Sequence, residues 1–446
     1  MTKIFKAIPR HLQGVLVMFM LWSGTSLIGQ SQRISFEQVN NRKGTALGKV
    51  NAMVQDKQGF MWFSDQSNAA IVRYDGSNMK YFSYDPDDPN SLGGAYPETL
   101  FASDDGTIWI GFNGTGLDRF DPVTVTFTHF RHDPEDPESL SSDNVFAVLE
   151  DHLGKLWVGT EDGLDLLDPD RGTFKHYRHD ENDPGSLSHN VVRSLYEDRS
   201  GTLWVGTGWE FAFIEDPSEG GGLNRFDRAS ETFAKFLHDP QDPNSLIGLK
   251  VRAILEDSHG NFWVGTDRNG LHTMDRETGQ FTRYIPGSKP VGKPDIPPPP
   301  PLPKNSNITF LAEDSTGHIW IGTLSNGVVR YDPRSGTTTH LGNKDPNPTA
   351  VLQNDGWSTY LQSNSGWCGY ATKDGLFWLG TQVYSRVYRV DLFSNGIPYK
   401  ELPVKSGSWA MPSFYEDASG GIWKGNGDGL VFEDSSGTTK RVFKHD

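Results

Sequence analysis

Five aromatic residues outside the repeated pattern of this chain are the side chains best suited to contact a ligand. They are Trp209, Phe211, Phe213, Trp357 and Trp409. Flat aromatic faces stack on sugar rings and on other apolar surfaces, so a cluster of them can form a binding platform. All five lie in long insertions or connections and not at fixed repeat positions. We predict that they are ligand-binding residues; the alternative is that they pack the long loops onto the fold.

Residues that could support catalysis or metal binding form no recognised pattern. The sequence lacks HExxH, GxSxG and P-loop motifs, and its single cysteine, Cys368, excludes a disulfide framework and a Cys-based zinc site. Four Asp-rich phrases do not have the spacing of a calcium-binding EF-hand loop, and turns capped by Asp and Pro explain them. The phrases occupy residues 85–92, 133–140, 180–187 and 239–246. We therefore predict no catalytic residues, no metal site and no cofactor.

The composition narrows the class of protein further. Among 446 residues, 41 Lys+Arg oppose 57 Asp+Glu, and this net charge of −16 argues against a nucleic-acid partner. Hydrophobic residues make up 35%, which argues against a protein with several membrane spans. Aromatic residues make up 12%, which is too many for a disordered chain.

The first residues have the layout of an export signal. Lys3, Lys6 and Arg10 precede the short apolar run Gly14–Trp22, which is followed by small residues. A charged start, an apolar run and a small-residue region are typical of a signal peptide. We predict that residues 1–29 are a signal peptide, that the rest is exported to the periplasm, and that no later segment spans a membrane.

One motif occurs eight times in the remainder of the chain. A tryptophan marks each copy, with a glycine three residues before it and spacings of 45 to 59 residues; the eight are Trp62, Trp109, Trp157, Trp204, Trp263, Trp320, Trp378 and Trp423. Each copy contains four short apolar strands separated by Gly and Asp turns. Regularly repeated four-stranded units with aromatic and glycine marks are typical of a β-propeller. The sequence therefore predicts an all-β fold, with residues 30–446 forming a single β-propeller of four-stranded antiparallel blades.

The number of blades is left open by two candidate closing strands. Ile34–Val39 and Arg441–Lys444 both have the pattern of an outermost strand, and only one such strand is needed to complete the last blade. Eight repeats favour eight blades. The alternative is a ring of seven blades followed by a surplus repeat.

The large insertions all belong to one face of such a propeller. They occupy residues 208–222, 286–305 and 342–363, and they replace either the turn between the second and third strands or the connection to the next blade. Both kinds of segment lie on the same face of a blade that runs from the inside outwards. Because insertions on one face of a repeat protein commonly carry function, we predict that this is the binding face.

The repeat core resembles that of a known family. The pattern ED-x-x-G-x-[LIF]-W-[VI]-G-T at Glu150–Leu164, Glu256–Leu271 and Glu313–Val328, and the linker HDPEDPESLSSDNV at His132–Val145, are similar to the two-component regulator propeller repeat. This resemblance implies a non-enzymatic periplasmic sensor of a hybrid two-component system that recognises an oligosaccharide or another small molecule. It implies a membrane sensor kinase or a second propeller as partner. It also leads us to expect that the chain is the N-terminal part of a longer sensor.

Two other functions remain as alternatives. Gly59–Asp75 resembles repeats of the streptogramin lyases, enzymes that would need a His and a Glu converging with a divalent metal on one face. His272 is the histidine that directly follows a turn between second and third strands, and Glu210 and Glu215 are acidic residues of the insertions. The second alternative is an extracytoplasmic protein-interaction platform.

Overall fold

The computed structural model of the protein describes residues 35–39, 47–209, 220–267, 270–284, 297, 307–324, 327–341, 357–358, 366–381, 386–392, 413–416, 422–426, 429–433 and 439–443. These residues form β-strands and one short 3₁₀ turn, with no α-helix among them. The described part of the chain contains no helix long and apolar enough to cross a membrane. The chain divides into two compact units, Met1–Ser394 and Asn395–Asp446.

Strands are numbered in chain order. Those of the first unit are β1 (Ser35–Gln38), β2 (Val50–Gln55), β3 (Met61–Asp65), β4 (Ala70–Tyr74), β5 (Met79–Ser83), β6 (Pro97–Ala102), β7 (Ile108–Phe112), β8 (Leu117–Asp121), β9 (Thr126–Phe130), β10 (Val145–Glu150), β11 (Leu156–Thr160), β12 (Gly163–Asp168), β13 (Thr173–Tyr177), β14 (Val192–Glu197), β15 (Leu203–Thr207), β16 (Leu223–Asp227), β17 (Thr232–Phe236), β18 (Val251–Glu256), β19 (Phe262–Thr266), β20 (Gly270–Met274), β21 (Phe281–Tyr284), β22 (Ile308–Glu313), β23 (Ile319–Thr323), β24 (Val328–Tyr331), β25 (Thr338–Leu341), β26 (Trp357–Ser358), β27 (Gly366–Ala371), β28 (Phe377–Thr381) and β29 (Arg386–Asp391). Those of the second unit are β30 (Ser413–Glu416), β31 (Ile422–Asn426), β32 (Gly429–Glu433) and β33 (Thr439–Phe443). The 3₁₀ turn is Gln66–Asn68, between β3 and β4.

Each of the first six repeats forms one antiparallel sheet of four consecutive strands, from β2–β5 to β22–β25. The seventh sheet has the order β26-β1-β29-β28-β27, so the N-terminal strand β1 supplies its outer part. In each of the first six sheets the first strand is innermost and the next strands follow outwards, whereas in the seventh sheet β27 is innermost and β26 and β1 are outermost. The expectation of an all-β propeller built from four-stranded antiparallel blades is confirmed.

The repeat tryptophans of the described blades pack between neighbouring sheets, as their recurrence predicts. The second strand of every blade in the ring is buried along its whole length. Trp157, for example, is only 2% exposed and lies with its ring centroid 5.1 Å from that of Phe226 in the next blade. One large aromatic side chain per blade therefore buries apolar surface between neighbouring sheets.

An Asp recurs six residues before the Trp and has a structural role; it follows Glu in four blades and Gln55 in the first. In five blades its carboxylate accepts a hydrogen bond from the indole N–H at 2.7–2.9 Å; these are Asp56, Asp151, Asp198, Asp257 and Asp314. Its other oxygen accepts backbone N–H groups of the turn that precedes the second strand. Two blades lack the Asp, and there the buried Ser103 Oγ and Trp378 Nε1 have no hydrogen-bond partner.

The ring of the first unit closes with seven blades. Residues of the first blade and of the seventh share one buried cluster, in which Val50, Met53 and Phe63 pack with Trp378 and Val387. β1 pairs antiparallel with β29 and so fastens the seventh blade. The preference for eight blades is therefore wrong, and the alternative of seven blades plus a surplus repeat is correct.

The eighth repeat forms a separate four-stranded sheet in the second unit, with the order β30-β31-β32-β33. This sheet shows which of the two candidate strands closes the ring. Both are outer strands as predicted, but β33 completes the sheet of its own repeat, whereas β1 completes the seventh blade.

Candidate ligand-binding site

The innermost strand of every blade in the ring carries the same irregularity. Its register shifts close to its start, between the first residue and the third, or the fourth in β2. Such β-bulges release a residue from the ladder and redirect its side chain. The second residues of the seven strands are Asn51, Glu98, Phe146, Arg193, Arg252, Thr309 and Trp367.

All seven of these residues line one cavity of about 230 Å³. Because each blade contributes its innermost strand to the wall, the cavity lies on the axis of the ring; we call it the axial cavity. Ala52, Met53, Thr99, Phe310 and Cys368 complete the wall with Gly369. Seven residues that are spread over more than 300 positions of the sequence thus meet in one place.

The axial cavity lies toward the face on which the insertions begin and end. Each innermost strand starts where the chain enters from the preceding blade, and the bulge residue is its second residue. The insertions lie between β15 and β16, between β21 and β22, and between β25 and β27, and these strand ends are on that same face. The strand order therefore agrees with the prediction that the insertions share one face, although most of their residues fall outside the described ones.

A polar network occupies the wall formed by the first two blades. The Glu98 carboxylate accepts hydrogen bonds from Asn51 Nδ2 at 2.6 Å and from Gln66 Nε2 at 3.0 Å. Gln66 belongs to the 3₁₀ turn, where the Asp65 side chain accepts the N–H of Asn68. Asn51 Oδ1 is buried and has no hydrogen-bond partner. A buried acceptor without a partner is unfavourable.

Arginine and aromatic side chains occupy the rest of the wall. The guanidinium of Arg193 lies 4.1 Å from the centroid of the Phe146 ring, and that of Arg252 lies 4.5 Å from the Trp367 ring. Lys49 Nζ lies 5.8 Å from the same Trp367 ring. Stacking on an aromatic face holds a guanidinium in a defined orientation. The wall thus combines two arginines with aromatic surface.

Of the five aromatic residues predicted as ligand-binding, the structure describes Trp209 and the backbone of Trp357. Trp209 follows β15, is half-buried, and is not among the residues that line the axial cavity. Trp357 lies in β26, where its backbone pairs with Glu37 of β1. Phe211, Phe213 and Trp409 lie outside the described residues. Their role in binding therefore stays a prediction.

The sequence contains a weak signal for the residues that do converge. Along the innermost strands the first position is apolar or Gly in all seven blades, while the second position varies from Asn and Glu to Arg, Phe and Trp. Variation at one position of an otherwise constant repeat marks a place that the scaffold does not constrain. Trp367, a tryptophan outside the repeat register on an inner strand, was the most visible of these residues.

His272, the histidine named for the lyase alternative, has a structural role instead. Its ring is fully buried, Nε2 accepts the backbone N–H of Ile247 at 3.1 Å, and Nδ1 lies 3.2 Å from the carbonyl oxygen of Val264. Those partners require the tautomer that is protonated on Nδ1. Burial lowers the pKa of His272 to about 4, so the ring is neutral at neutral pH.

Other blades place a different acceptor at the same point. Asp118, Asp165 and Asn224 each accept the backbone N–H of the residue that follows an Asp-rich phrase. His272 does the same for the phrase at residues 239–246. Both ring nitrogens are thereby engaged with backbone groups. The side chain at this position therefore fixes the connection between blades by accepting a backbone N–H. Neither nitrogen of His272 remains available to a substrate or a metal.

This role predicts how His272 affects stability with pH. The pKa of about 4 in the folded protein is below the ordinary value of 6.5, so the unfolded chain binds the proton more readily. The stability contributed by the neutral ring is fully present above pH 6.5 and is lost as the pH falls toward 4. We expect His272→Asn, which copies Asn224, to flatten the decline in melting temperature between pH 7 and pH 4.5. A decline as steep as that of the parent would contradict this role.

The Asp-rich phrases are turns, as predicted. In the first of them the Asp85 carboxylate accepts the N–H of Asp87, and the Ser91 hydroxyl donates to the Asp85 carbonyl oxygen. The leucine that ends each phrase is buried; these are Leu92, Leu140, Leu187 and Leu246. Among the described residues no group of three or more His, Cys, Asp or Glu could hold a metal ion. Side-chain capping and an apolar anchor explain the repetition of the phrase.

Comparison with known families agrees with the repeat motif. The two-component regulator propeller family matches residues 139–162, 186–209, 245–268 and 301–325, which belong to the third to sixth repeats. The resemblance inferred from the motif is confirmed. The protein is a β-propeller that carries two-component regulator propeller repeats.

Individual proteins of known sequence or structure are similar over different extents. Histidine kinase P4 of Formosa agariphila is 29% identical over 107 residues, which are 24% of this chain and 7% of that protein. The extracellular domain of BT3049, described as a hybrid two-component system of B. thetaiotaomicron, aligns with a TM-score of 0.62 and 22% identity over 92% of this chain and 49% of that domain. A streptogramin B lyase aligns with a TM-score of 0.54 and 15% identity, covering 81% of this chain and 99% of the lyase.

These similarities establish the fold and not the ligand. This chain spans about half the length of the extracellular domain of BT3049 and a small fraction of the histidine kinase. Propellers of a sensor and of an enzyme both align with it. The function has to be argued from the axial cavity.

Proposed function

We propose that this protein is an exported, non-enzymatic ligand-sensing β-propeller that recognises an oligosaccharide. In this proposal residues 1–29 direct export and the propeller acts in the periplasm. A membrane sensor kinase or a second propeller receives the signal. The extracellular propellers of hybrid two-component systems to which the fold is similar support this proposal.

The observation that carries the proposal is the axial cavity with its mixed wall. Binding sites for small molecules are concave and combine aromatic or apolar surface with a few polar groups that set orientation. Trp367, Phe146 and Phe310 supply aromatic surface, while Asn51 and Glu98 supply hydrogen-bonding groups. A sugar ring has the matching chemistry, because its C–H faces pack on aromatic rings and its hydroxyls both donate and accept hydrogen bonds.

The size of the axial cavity limits what can enter it. Its volume of about 230 Å³ is below the range of roughly 300–1,000 Å³ that is usual for drug-sized ligands. One sugar unit suits such a space, and further units of an oligosaccharide would extend beyond it. The binding-face prediction for Trp209, Phe211, Phe213, Trp357 and Trp409 is compatible with contacts to those further units.

The enzyme alternative receives less support. A lyase-like site needs a histidine that can act as a base or hold a metal, and His272 is buried with both nitrogens bonded to backbone groups. No specific observation favours the protein-interaction platform over the sensor. We therefore retain the sensor as the proposed function.

The test is a binding screen on residues 30–446 with a panel of purified oligosaccharides. We expect at least one of them to raise the melting temperature and to bind in titration calorimetry without being chemically changed. We expect Trp367→Leu to weaken that binding at least tenfold, which corresponds to about 1.4 kcal/mol. The reason is the loss of an aromatic face from the wall of the axial cavity.

The control is Leu153→Ala, which removes a large apolar side chain that is 59% exposed in the turn between β10 and β11, at the other end of the blade from the axial cavity. This variant should bind like the parent. Melting curves without ligand establish that both variants fold. The proposal fails if no oligosaccharide binds, if binding is unchanged in Trp367→Leu, or if mass spectrometry shows turnover of the ligand.

A further inference from the structure

We propose that His129 and His176 form a pH-sensitive device that holds two Asp-rich phrases on the ring while both imidazoles are protonated and loosens them when a proton is lost. The two phrases are residues 85–92 and 133–140, which enter the second and the third blade. The device is independent of any ligand. Three features of the structure support it: the acceptors around each ring, the residues that replace the histidines in other blades, and the charge of the side chains opposite them.

Each of the two imidazoles has an acceptor at both of its nitrogens. His129 Nδ1 lies 2.7 Å from the carboxylate of Asp118, and Nε2 lies 3.0 Å from the carbonyl oxygen of Pro89 in the first phrase. His176 lies in the same way 2.7 Å from Asp165 and 2.9 Å from a carbonyl oxygen of the second phrase. A neutral imidazole has a single N–H, so only the imidazolium donates to both acceptors. Loss of a proton therefore removes one of the two hydrogen bonds.

Cations that are always charged have the equivalent place in the next two blades. Lys235 and Arg283 lie at the same cross-strand position of the fourth strand. Lys235 Nζ donates to the carbonyl oxygen of Asp183 at 3.4 Å. Arg283 Nε donates to the carbonyl oxygen of Ser245 at 2.7 Å. Each of the four Asp-rich phrases thus receives a hydrogen bond from one basic side chain of the blade that it enters, and in two of them this side chain titrates.

The residue opposite on the third strand changes together with the basic residue. It is a carboxylate opposite each histidine and a neutral side chain opposite Lys235 and Arg283. The two carboxylates, those of Asp118 and Asp165, are completely buried. A buried carboxylate requires a compensating positive charge, whereas Lys and Arg are charged without such a neighbour. This pairing indicates that the two histidines are held in the protonated form.

The groups around the two histidines determine the direction of the pH dependence. The hydrogen bond with the carboxylate raises the pKa of His129 and of His176 above the ordinary value of 6.5, and burial opposes it. The phrase carbonyl raises the pKa further, while Arg131 and Arg178, each two residues further along the chain, lower it. The stability from these contacts is therefore fully present below pH 6.5 and is lost as the pH rises through the folded pKa. The phrases packed against the two rings also carry the acidic residues Asp85, Asp87, Asp88, Asp133, Glu135, Asp136 and Glu138.

The second phrase depends more strongly on its histidine than the first. Arg131 donates to the Asp118 carboxylate at 3.2 Å and, at 3.2 Å, to a backbone carbonyl oxygen just after the first phrase. The corresponding Arg178 donates to Asp162 instead. The first phrase therefore keeps a permanent cation when its histidine loses a proton, and we expect the larger pH response at His176.

Both phrases lead directly into strands that form the wall of the axial cavity. The first precedes β6, which carries Glu98, and the second precedes β10, which carries Phe146. Loosening of either phrase frees the chain just before that wall. The pH outside the cell membrane thereby acts on the predicted binding face.

Hydrogen exchange followed by mass spectrometry compares the four Asp-rich phrases within one protein, residues 30–446, at pH 6 and pH 9. The exchange rates are corrected for the intrinsic effect of pH. We expect the protection of residues 133–140 to fall about tenfold at pH 9, because a hydrogen bond from a charged donor is lost, and that of residues 85–92 to fall less. The other two phrases, held by residues that are always charged, are internal controls and should keep their protection.

Variants that copy another blade assign the response to the imidazole. His176→Lys, which copies Lys235, keeps a cation opposite Asp165 and should preserve the protection of residues 133–140 at both pH values. His176→Gln removes the cation, so this protection should be low at both. The matched control is His179→Gln, because His179 Nδ1 donates to one backbone carbonyl oxygen and a single proton is enough. This control should leave the pH response of the second phrase unchanged, and melting curves confirm folding of each variant.

The outcomes decide for or against the device. A loss of protection that is confined to the two phrases held by histidine, and that disappears from the second phrase in His176→Lys, would support it. A loss of similar size in all four phrases would overturn it, because the cause would then be general destabilisation. A parent protein without any pH response in the second phrase, or a response that persists in His176→Lys, would overturn it as well.

Discussion

Replacement of Asp314 by Ala is expected to lower the free energy of unfolding by about 3–5 kcal/mol. The Asp314 carboxylate is completely buried and accepts hydrogen bonds from Arg330 Nε and Trp320 Nε1, each at 2.8 Å. Its other oxygen accepts the backbone N–H groups of Thr316 and His318. The variant leaves a guanidinium that is only 8% exposed without its carboxylate and leaves an indole N–H without an acceptor. Uncompensated buried charge is among the most destabilising changes in a protein.

Urea unfolding followed by tryptophan fluorescence measures this effect, and Arg334→Ala is the control. Arg334 is 59% exposed and pairs with Asp332 in the same blade, so its loss should change stability by less than about 1 kcal/mol. An Asp314→Ala variant as stable as Arg334→Ala would show that the Asp–Trp–Arg contact does not support the blade.

The pH dependence of stability in the parent and in Asp314→Ala provides a second readout. Burial acts to raise the pKa of Asp314, but hydrogen bonds from Thr316, Trp320 and Arg330 together with the charge of Arg330 outweigh it, and the pKa is lowered. A carboxylate with a lowered pKa contributes stability that is present above the unfolded value near 4 and is lost as the pH falls through the folded value. The difference between parent and Asp314→Ala should therefore be largest at pH 7 and should shrink below about pH 4.

Deletion of residues 34–39 is expected to have the largest effect of any change to the ring. β1 supplies the outer strand of the seventh blade, and Phe36 within it is completely buried against Tyr388 and Val390. The backbone N–H of Val39 also donates to the carbonyl oxygen of Val387 at 2.9 Å. Without β1, the edge of β29 and the apolar cluster beneath it are exposed. We expect the main melting transition to move down by more than 10 °C and the seventh blade to be proteolysed faster. The shift follows from losing the buried Phe36 side chain, worth about 3–5 kcal/mol, together with the strand pairing between β1 and β29.

The matched control is deletion of residues 439–446, which removes β33, the other candidate closing strand. Because β33 pairs with β32 in the second unit, this deletion should leave the main transition within 2–3 °C of the parent, roughly the effect of 1 kcal/mol. Limited proteolysis and calorimetry distinguish the two variants. A larger loss from deleting β33 than from deleting β1 would contradict the seven-bladed ring.

The strands and turns of each blade follow from local sequence. The Asp that accepts the Trp indole N–H is six residues away, and the glycines before the Trp adopt positive φ in the turn between them, as Gly154 does at φ 70°. The Asp-rich phrases bond within themselves over two to six residues. Interactions of such short range recur wherever the motif recurs, so the repeat predicted the blade architecture and the structural role of its tryptophans.

The number of blades and the position of the cavity depend on contacts that no local pattern encodes. Glu37 of β1 pairs with Arg389, which is 352 residues further along the chain. The outer-strand patterns at both ends of the chain look alike, and only pairing with β29 shows which one closes the ring. The axial cavity likewise requires seven residues, one from each blade, whose orientation is set by β-bulges.

The candidate site was therefore the part least accessible from the sequence. The prediction of ligand-binding residues was based on aromatic residues in the insertions, which are easy to recognise in the sequence. Residues such as Asn51, Glu98 and Arg193 are not distinctive within their own repeats. Their proximity arises because a closed ring brings the innermost strand of every blade to one axis. Local hydrogen bonding and apolar periodicity thus specify a blade, but closure of the ring specifies how many blades there are and which side chains face one another at its centre.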